Sequence, residues 1–244
     1  MSDAAGARAE RALDELVAVM ARLRAPGGCP WDAEQTHASL APYAIEEAHE
    51  LAEAAEAATG DSAADAHLRE ELGDLLLQVV FHADIARTEG RFDLDDVART
   101  LIEKLRRRHP HVFAGTEVEG VGDVIANWDA IKRAEKPERE SALDGIPAGL
   151  PALARAQKLL GRAQRAGIES AVEPDDAPAR EQAVADAPAH AEASLGRALL
   201  TMVRGASADG IDAERALRGA TRELERELRA QEAAAARGAE DREP

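Results

Sequence analysis

The sequence predicts an all-α fold, and three observations carry that expectation. Ala, Leu, Glu and Arg dominate the 244 residues, and all four favour helix. Apolar residues recur at helical spacing through several long segments, while alternating or β-branched runs are missing. Gly and Pro collect between those segments, as at Pro26-Gly27-Gly28, Gly60, Gly90 and Pro110, where they punctuate helices.

A first helix fits about residues 7–24, with Leu13, Leu16, Val17, Met20 and Leu23 on one stripe. Cys29-Pro30-Trp31-Asp32 reads as a loop. A second helix starts near Ser39, tolerates Pro42 in its first turn and runs to Thr59-Gly60. The third covers roughly 65–89, carried by Leu68, Leu72, Leu75, Leu76, Val79 and Val80. Asp93 and Asp96 suit the N-cap and N3 of a fourth helix that ends at Arg108-His109-Pro110. A fifth fits Asp123 to Lys136, closing a first unit of residues 1–136. Residues 137–150, charged and broken by Pro and Gly, read as a linker to a second unit, 151–244. Helices fit there at about 151–166, 190–204 and 212–236. Residues 170–190 carry three prolines among acids and alanines, so poor order is expected, and the last residues read as a solvated tail.

Apolar residues at 45% suffice for a core, but aromatics are 2% and all six precede residue 129. The second unit must therefore pack with aliphatic side chains alone. A net charge of −17 excludes non-specific nucleic-acid binding, which needs a basic surface. It leaves a nucleotide substrate open if a metal and a local basic cluster offset the charge. Cys29 is alone, so no internal disulfide is expected. No apolar run approaches membrane-spanning length and no signal sequence is visible, which makes the cytoplasm the expected compartment.

The second helix carries Glu46, Glu47 and Glu50 within an arc of about 100°. The third carries Glu71 and Asp74 at i,i+3, beside the apolar stripe. A short connection makes the two helices antiparallel neighbours, so four or five carboxylates face one cleft. Clustered carboxylates repel one another unless a cation or protons intervene. All-oxygen ligation suits Mg²⁺ or Mn²⁺. Acids at this spacing also line ordinary solvated helix faces, and spacing alone leaves both readings open.

Lys104, Arg107 and Arg108 share a face at the end of the fourth helix, suited to gripping phosphate oxygens. Cations there equally complement the helix dipole. Trp128 and Lys132 stand at i,i+4; a base-stacking and phosphate role is open to them, although spacing alone favours Trp128 as a core anchor. His49, His82 and His109 form no ligand pair of recognisable spacing.

Together the segments GGCPWDAEQTH (27–37), APYAIEEAHELAEA (41–54), REELGDLLLQVVFHADIA (69–86), EGRFDLDDV (89–97), KLRRRHPHVF (104–113) and NWDAIKRAEK (127–136) resemble the MazG family of nucleotide pyrophosphohydrolases. The family's EExxE…ExxD signature is present in full. The resemblance implies a dimerising all-α bundle that hydrolyses nucleoside triphosphates to monophosphate and pyrophosphate, in housekeeping against abnormal nucleotides. By the same resemblance Glu47, Glu50, Glu71 and Asp74 hold Mg²⁺, with Mn²⁺ as substitute. Glu46 serves attacking water, and Lys104, Arg108, Trp128 and Lys132 hold substrate.

The second unit reads as a degenerate repeat of the first. LGDLLLQVV (72–80) aligns with LGRALLTMV (195–203), and EKLRRRH (103–109) with RELEREL (222–228). Glu71 and Asp74 then correspond to Ser194 and Arg197, and Lys104 and Arg108 to Glu223 and Glu227, so the chemistry has gone from that copy. Two other functions compete. A di-metal oxidase would need two Glu-x-x-His motifs, of which Glu46-x-x-His49 supplies one. A non-catalytic acidic helical adaptor would show no metal-dependent loss of nucleotide.

Overall fold

The computed structural model describes residues 2–58, 60–138, 140–168 and 188–240, and among these there is no strand. In chain order the helices are α1 (Ser2–Arg24), α2 (Pro30–Glu34), α3 (His37–Ala57), α4 (Ser62–Thr88), α5 (Leu94–Arg108), α6 (Pro110–Phe113) and α7 (Val121–Glu135). They continue as α8 (Ala152–Arg165), α9 (Pro188–Ala208) and α10 (Ala213–Glu240). The all-α expectation is met. The chain divides into two compact units, Met1–Lys132 and Arg133–Pro244.

Local capping explains where the helices begin. Asp93 accepts from the Asp96 amide at 3.0 Å and the Asp96 carboxylate accepts from the Asp93 amide at 3.2 Å, the capping box anticipated for α5. At α3 the same reciprocal arrangement joins Thr36 and Ser39, starting the helix two residues before the expected position. Pro42 consequently lies inside α3 rather than in its first turn, and its missing amide leaves a gap in the hydrogen-bond ladder. Asp61 accepts from the Ala63 and Ala64 amides, so α4 also starts early. The Cys29–Asp32 stretch is not wholly loop. Pro30 takes the first position of α2, and Pro110 does the same for α6, where no helix was anticipated. Helix α10 runs on to Glu240, through part of the segment expected as a tail, and α9 already begins at Pro188. Most of the stretch expected to be poorly ordered, residues 170–187, lies outside the described residues.

In the first unit α4 is the central helix, packed by α1 and α5 and, most extensively, by α3. Met20, Leu40, Val80, Phe81 and Ile85 form the core, flanked by Leu16, Val17, Leu77 and Leu94. A buried charge network pins α1 to α4. Asp84 accepts from Arg24 at 2.9 Å and from Arg87 at 2.6 Å, and Arg24 also donates to the Asp32 carbonyl and lies over the Phe81 ring. Gly28 makes the turn into α2 possible, because a Cβ there would lie 2.2 Å from the Leu23 carbonyl oxygen.

A second polar clamp joins the start of α3 to α4. The His37 and His82 rings are nearly coplanar, with their Nδ1 atoms 2.7 Å apart, too close for face-to-face stacking, so they meet edge to edge. Arg91, which can only donate, bonds His37 Nε2. His37 therefore carries its proton on Nδ1 and donates it to His82, whose own proton sits on Nε2. Burial, and then the neighbouring His37, lower the pKa of His82.

In the second unit α8 packs against both α9 and α10. The Gln157 side chain clasps the α9–α10 turn, donating to the Ile211 carbonyl at 2.6 Å and accepting from the Ala213 amide at 3.1 Å. Among the described residues of α9, Val203 and Ser194 are buried.

Candidate active site

The α3–α4 hairpin sets the carboxylates. Glu47 from α3 meets Glu71 and Asp74 from α4, with one ligand atom from each within 4.8 Å of the others. Glu71 is 8% exposed; its Oε1 lies 3.3 Å from His67 Nδ1, while its buried Oε2 has no hydrogen-bond partner. An unpartnered carboxylate oxygen among other carboxylates is costly unless a cation meets it. Glu47 responds in the same way. Desolvation, followed by the charges of Asp74 and Glu50, a hydrogen bond with Glu50 and the charge of Glu71, raises its pKa. Glu50 thus adjoins the group through Glu47, although it is exposed, and Glu46 is exposed on α3 beside it. The donor set is all oxygen and suits a hard divalent ion.

Lys104 and Arg108 are half-buried on α5 and Arg107 is exposed. His109, the residue capping α5, bonds the Leu105 carbonyl oxygen through Nδ1 at 2.7 Å and sets its ring against Trp128, centroids 5.5 Å apart at 70°. The Lys132 ammonium lies 4.3 Å from the centre of the Trp128 ring. Trp128 therefore already has a cation on a face and a ring at close range, and its buried Nε1 has no partner.

Sequence reasoning passed over two features. Gln78 is 7% exposed with an unpartnered Oε1, seven residues beyond Glu71 on α4, yet in LLLQVVF it reads as an interruption of a core stripe. Trp31 and Tyr43, both substantially exposed, meet edge to face at 6.0 Å, and Trp31 also meets Phe81 at 6.5 Å. The early Pro-Gly punctuation around Trp31 suggested only a structural loop.

Residues 35–113, which span both carboxylate helices and α5, match the MazG nucleotide pyrophosphohydrolase domain. A nucleoside triphosphate pyrophosphohydrolase of Escherichia coli is 43% identical over 243 residues, covering 93% of this chain and 90% of the relative. A Thermotoga maritima protein named nucleoside triphosphate pyrophosphohydrolase/pyrophosphatase MazG is 42% identical over 217 residues, 86% of this chain and 82% of its own. The nucleoside triphosphate pyrophosphohydrolase of Mycobacterium tuberculosis is 47% identical over 171 residues, 69% of this chain and 50% of its own. The likeness reaches well past the carboxylate hairpin and into the second unit, and on that extent the chain belongs to the MazG nucleotide pyrophosphohydrolase family.

Proposed function

We propose that this enzyme hydrolyses nucleoside triphosphates to monophosphate and pyrophosphate with Mg²⁺, Mn²⁺ substituting. The observation that carries the reading is the meeting of Glu47, Glu71 and Asp74 around an unpartnered, buried Glu71 oxygen. Glu47, Glu50, Glu71 and Asp74 hold the ion. When bound, Mg²⁺ neutralises phosphate oxygens and lowers the cost of charge that builds on the leaving pyrophosphate. Glu46, exposed on the same helix, orients a water molecule and takes its proton on a carboxylate oxygen as the bond between the first and second phosphates breaks. Lys104, Arg107, Arg108 and Lys132 counter the triphosphate charge, which a chain of net −17 must do locally. Trp128 acts through Lys132, holding the ammonium against its ring.

Leu72, Leu76 and Val79 leave an apolar stripe exposed on α4, which supports a homodimer. No described helix is long and apolar enough to cross a membrane, in keeping with a cytoplasmic place. The role is housekeeping of the nucleotide pool. The di-metal oxidase fits less well, because the described carboxylate group includes no histidine and Leu77 stands where α4 would need one.

Residues 151–244 are a decayed copy of the first unit. Ser194 is buried at the position aligned with Glu71, and Val203 at that of Val80. Gly90 and Gly210 end the aligned helices with φ of 70° each, and Asp212 caps α10 as Asp93 caps α5.

A panel of nucleoside triphosphates with Mg²⁺, products resolved, tests the activity. Pyrophosphate with monophosphate is expected, ceasing with chelator. Orthophosphate with diphosphate as first products would overturn it.

A further inference from the structure

We propose that Gln78 is a specificity residue of this site, its carboxamide reading the base of the nucleoside triphosphate. The inference rests on the hydrolase reading above. On a helical wheel Gln78 falls about 20° from Glu71 and about 40° from Asp74, so all three point to the same side of α4. That side is turned to α3, since Glu71 and Asp74 meet Glu47 there. Gln78 lies about 6 Å along the axis from Asp74, beyond the carboxylates that would hold the phosphate-binding ion. It is 7% exposed and its Oε1 has no partner, an expense that a residue serving only the core does not need. A near-isosteric Met would fill the same space without it.

The surroundings fit a planar heterocycle. Phe81, one turn beyond Gln78, meets Trp31, and Trp31 meets Tyr43, which stands one turn before Glu47. Trp31 is 51% exposed and Tyr43 41%, so aromatic surface is available next to the acids. Trp128, the other aromatic candidate, already carries Lys132 against its ring. A carboxamide presents donor and acceptor together and matches the paired nitrogen and oxygen edges of a base, while aromatic rings accept any base by stacking. Stacking supplies general affinity; Gln78 supplies the choice between bases.

The test compares the full-length protein with Gln78→Met and Gln78→Glu, using ATP, GTP, CTP, UTP and their deoxy forms with Mg²⁺. The wild type comes first: if it releases pyrophosphate from none of them, the hydrolase reading fails and this inference falls with it. With an active wild type, the Met variant is expected to raise KM for the preferred base about tenfold while kcat stays within about twofold, and to flatten the ranking of bases. Gln78→Glu, which keeps acceptors and loses donors, should alter the ranking differently. An equal loss for every nucleotide, or unchanged kinetics with a raised melting temperature, would overturn the proposal. Failure of both variants to fold would show Gln78 to be a core residue and would overturn it too.

Discussion

Glu71 and Asp84 are both buried acids on α4, and the difference between them separates chemistry from stability. Asp84 has Arg24 and Arg87 on its two oxygens; Glu71 has one oxygen near a mostly exposed histidine and the other bare. Asp84→Ala should therefore destabilise by about 3–5 kcal/mol, because Arg24 is left charged and enclosed, and urea denaturation measures it. A cost below about 1 kcal/mol would make the network a surface-type pair. Glu71→Gln and Asp74→Asn should behave in the opposite way. Each is expected to abolish pyrophosphate release and yet leave helicity intact, and Glu71→Gln should raise the metal-free melting temperature, since it removes repulsion from Glu47 and Asp74. Wild-type turnover in either variant would remove that residue from the ion's ligands. The sequence showed the acids readily, because i,i+3 spacing is a local property. It could not show Arg24 meeting Asp84 across 60 residues, nor the missing partner of Gln78, since both depend on which faces meet.

At the scale of elements, helix ends were legible where a familiar box was spelled out, as at Asp93 and Asp96. Thr36 and Ser39 cap α3 just as well, but serine at the third position is a weaker signal than Glu or Gln, and Pro42 drew attention as a start marker instead. The His37–His82 clamp was invisible because its members are 45 residues apart. It has a measurable consequence. The folded state holds His82 neutral with a lowered pKa, whereas the unfolded chain protonates it in the ordinary histidine range of about 6.5. Between these two values the unfolded state binds more protons, so stability is lost as pH falls through that window and is fully present above it. Melting temperatures measured from pH 8 to 5 should show this acid slope, and His82→Gln, which keeps an acceptor for His37, should flatten it. An unchanged slope would mean that the clamp does not titrate.

At the scale of the whole molecule, the division falls after Lys132, and every residue assigned to ion, water, phosphate or base lies before it. The second unit carries Ser194 and Arg197 at the positions aligned with Glu71 and Asp74, and an arginine there would repel a cation. A chain ending near Pro147 is thus expected to fold and to keep most of its specific activity, with any change confined to melting temperature or oligomeric state. Activity assays beside light scattering decide it. Complete loss of turnover in a truncated protein that stays folded and keeps the oligomeric state of the full-length protein would give the second unit a direct part in catalysis.

The carboxylates also come from helices that are adjacent in sequence, with only residues 58–61 between α3 and α4. This has a consequence for folding rates. Closing so short a loop costs little entropy, so the hairpin that assembles the acids should form early, before the distant Arg24–Asp84 pair is made. Asp61, which caps α4 through two amides at the hinge of that hairpin, is the residue to probe. Asp61→Ala should cost about 1 kcal/mol and appear mainly as slower refolding. Asp84→Ala should instead appear mainly as faster unfolding. If the two variants exchanged these signatures in stopped-flow measurements, the charge network rather than the hairpin would be the first part of the molecule to form.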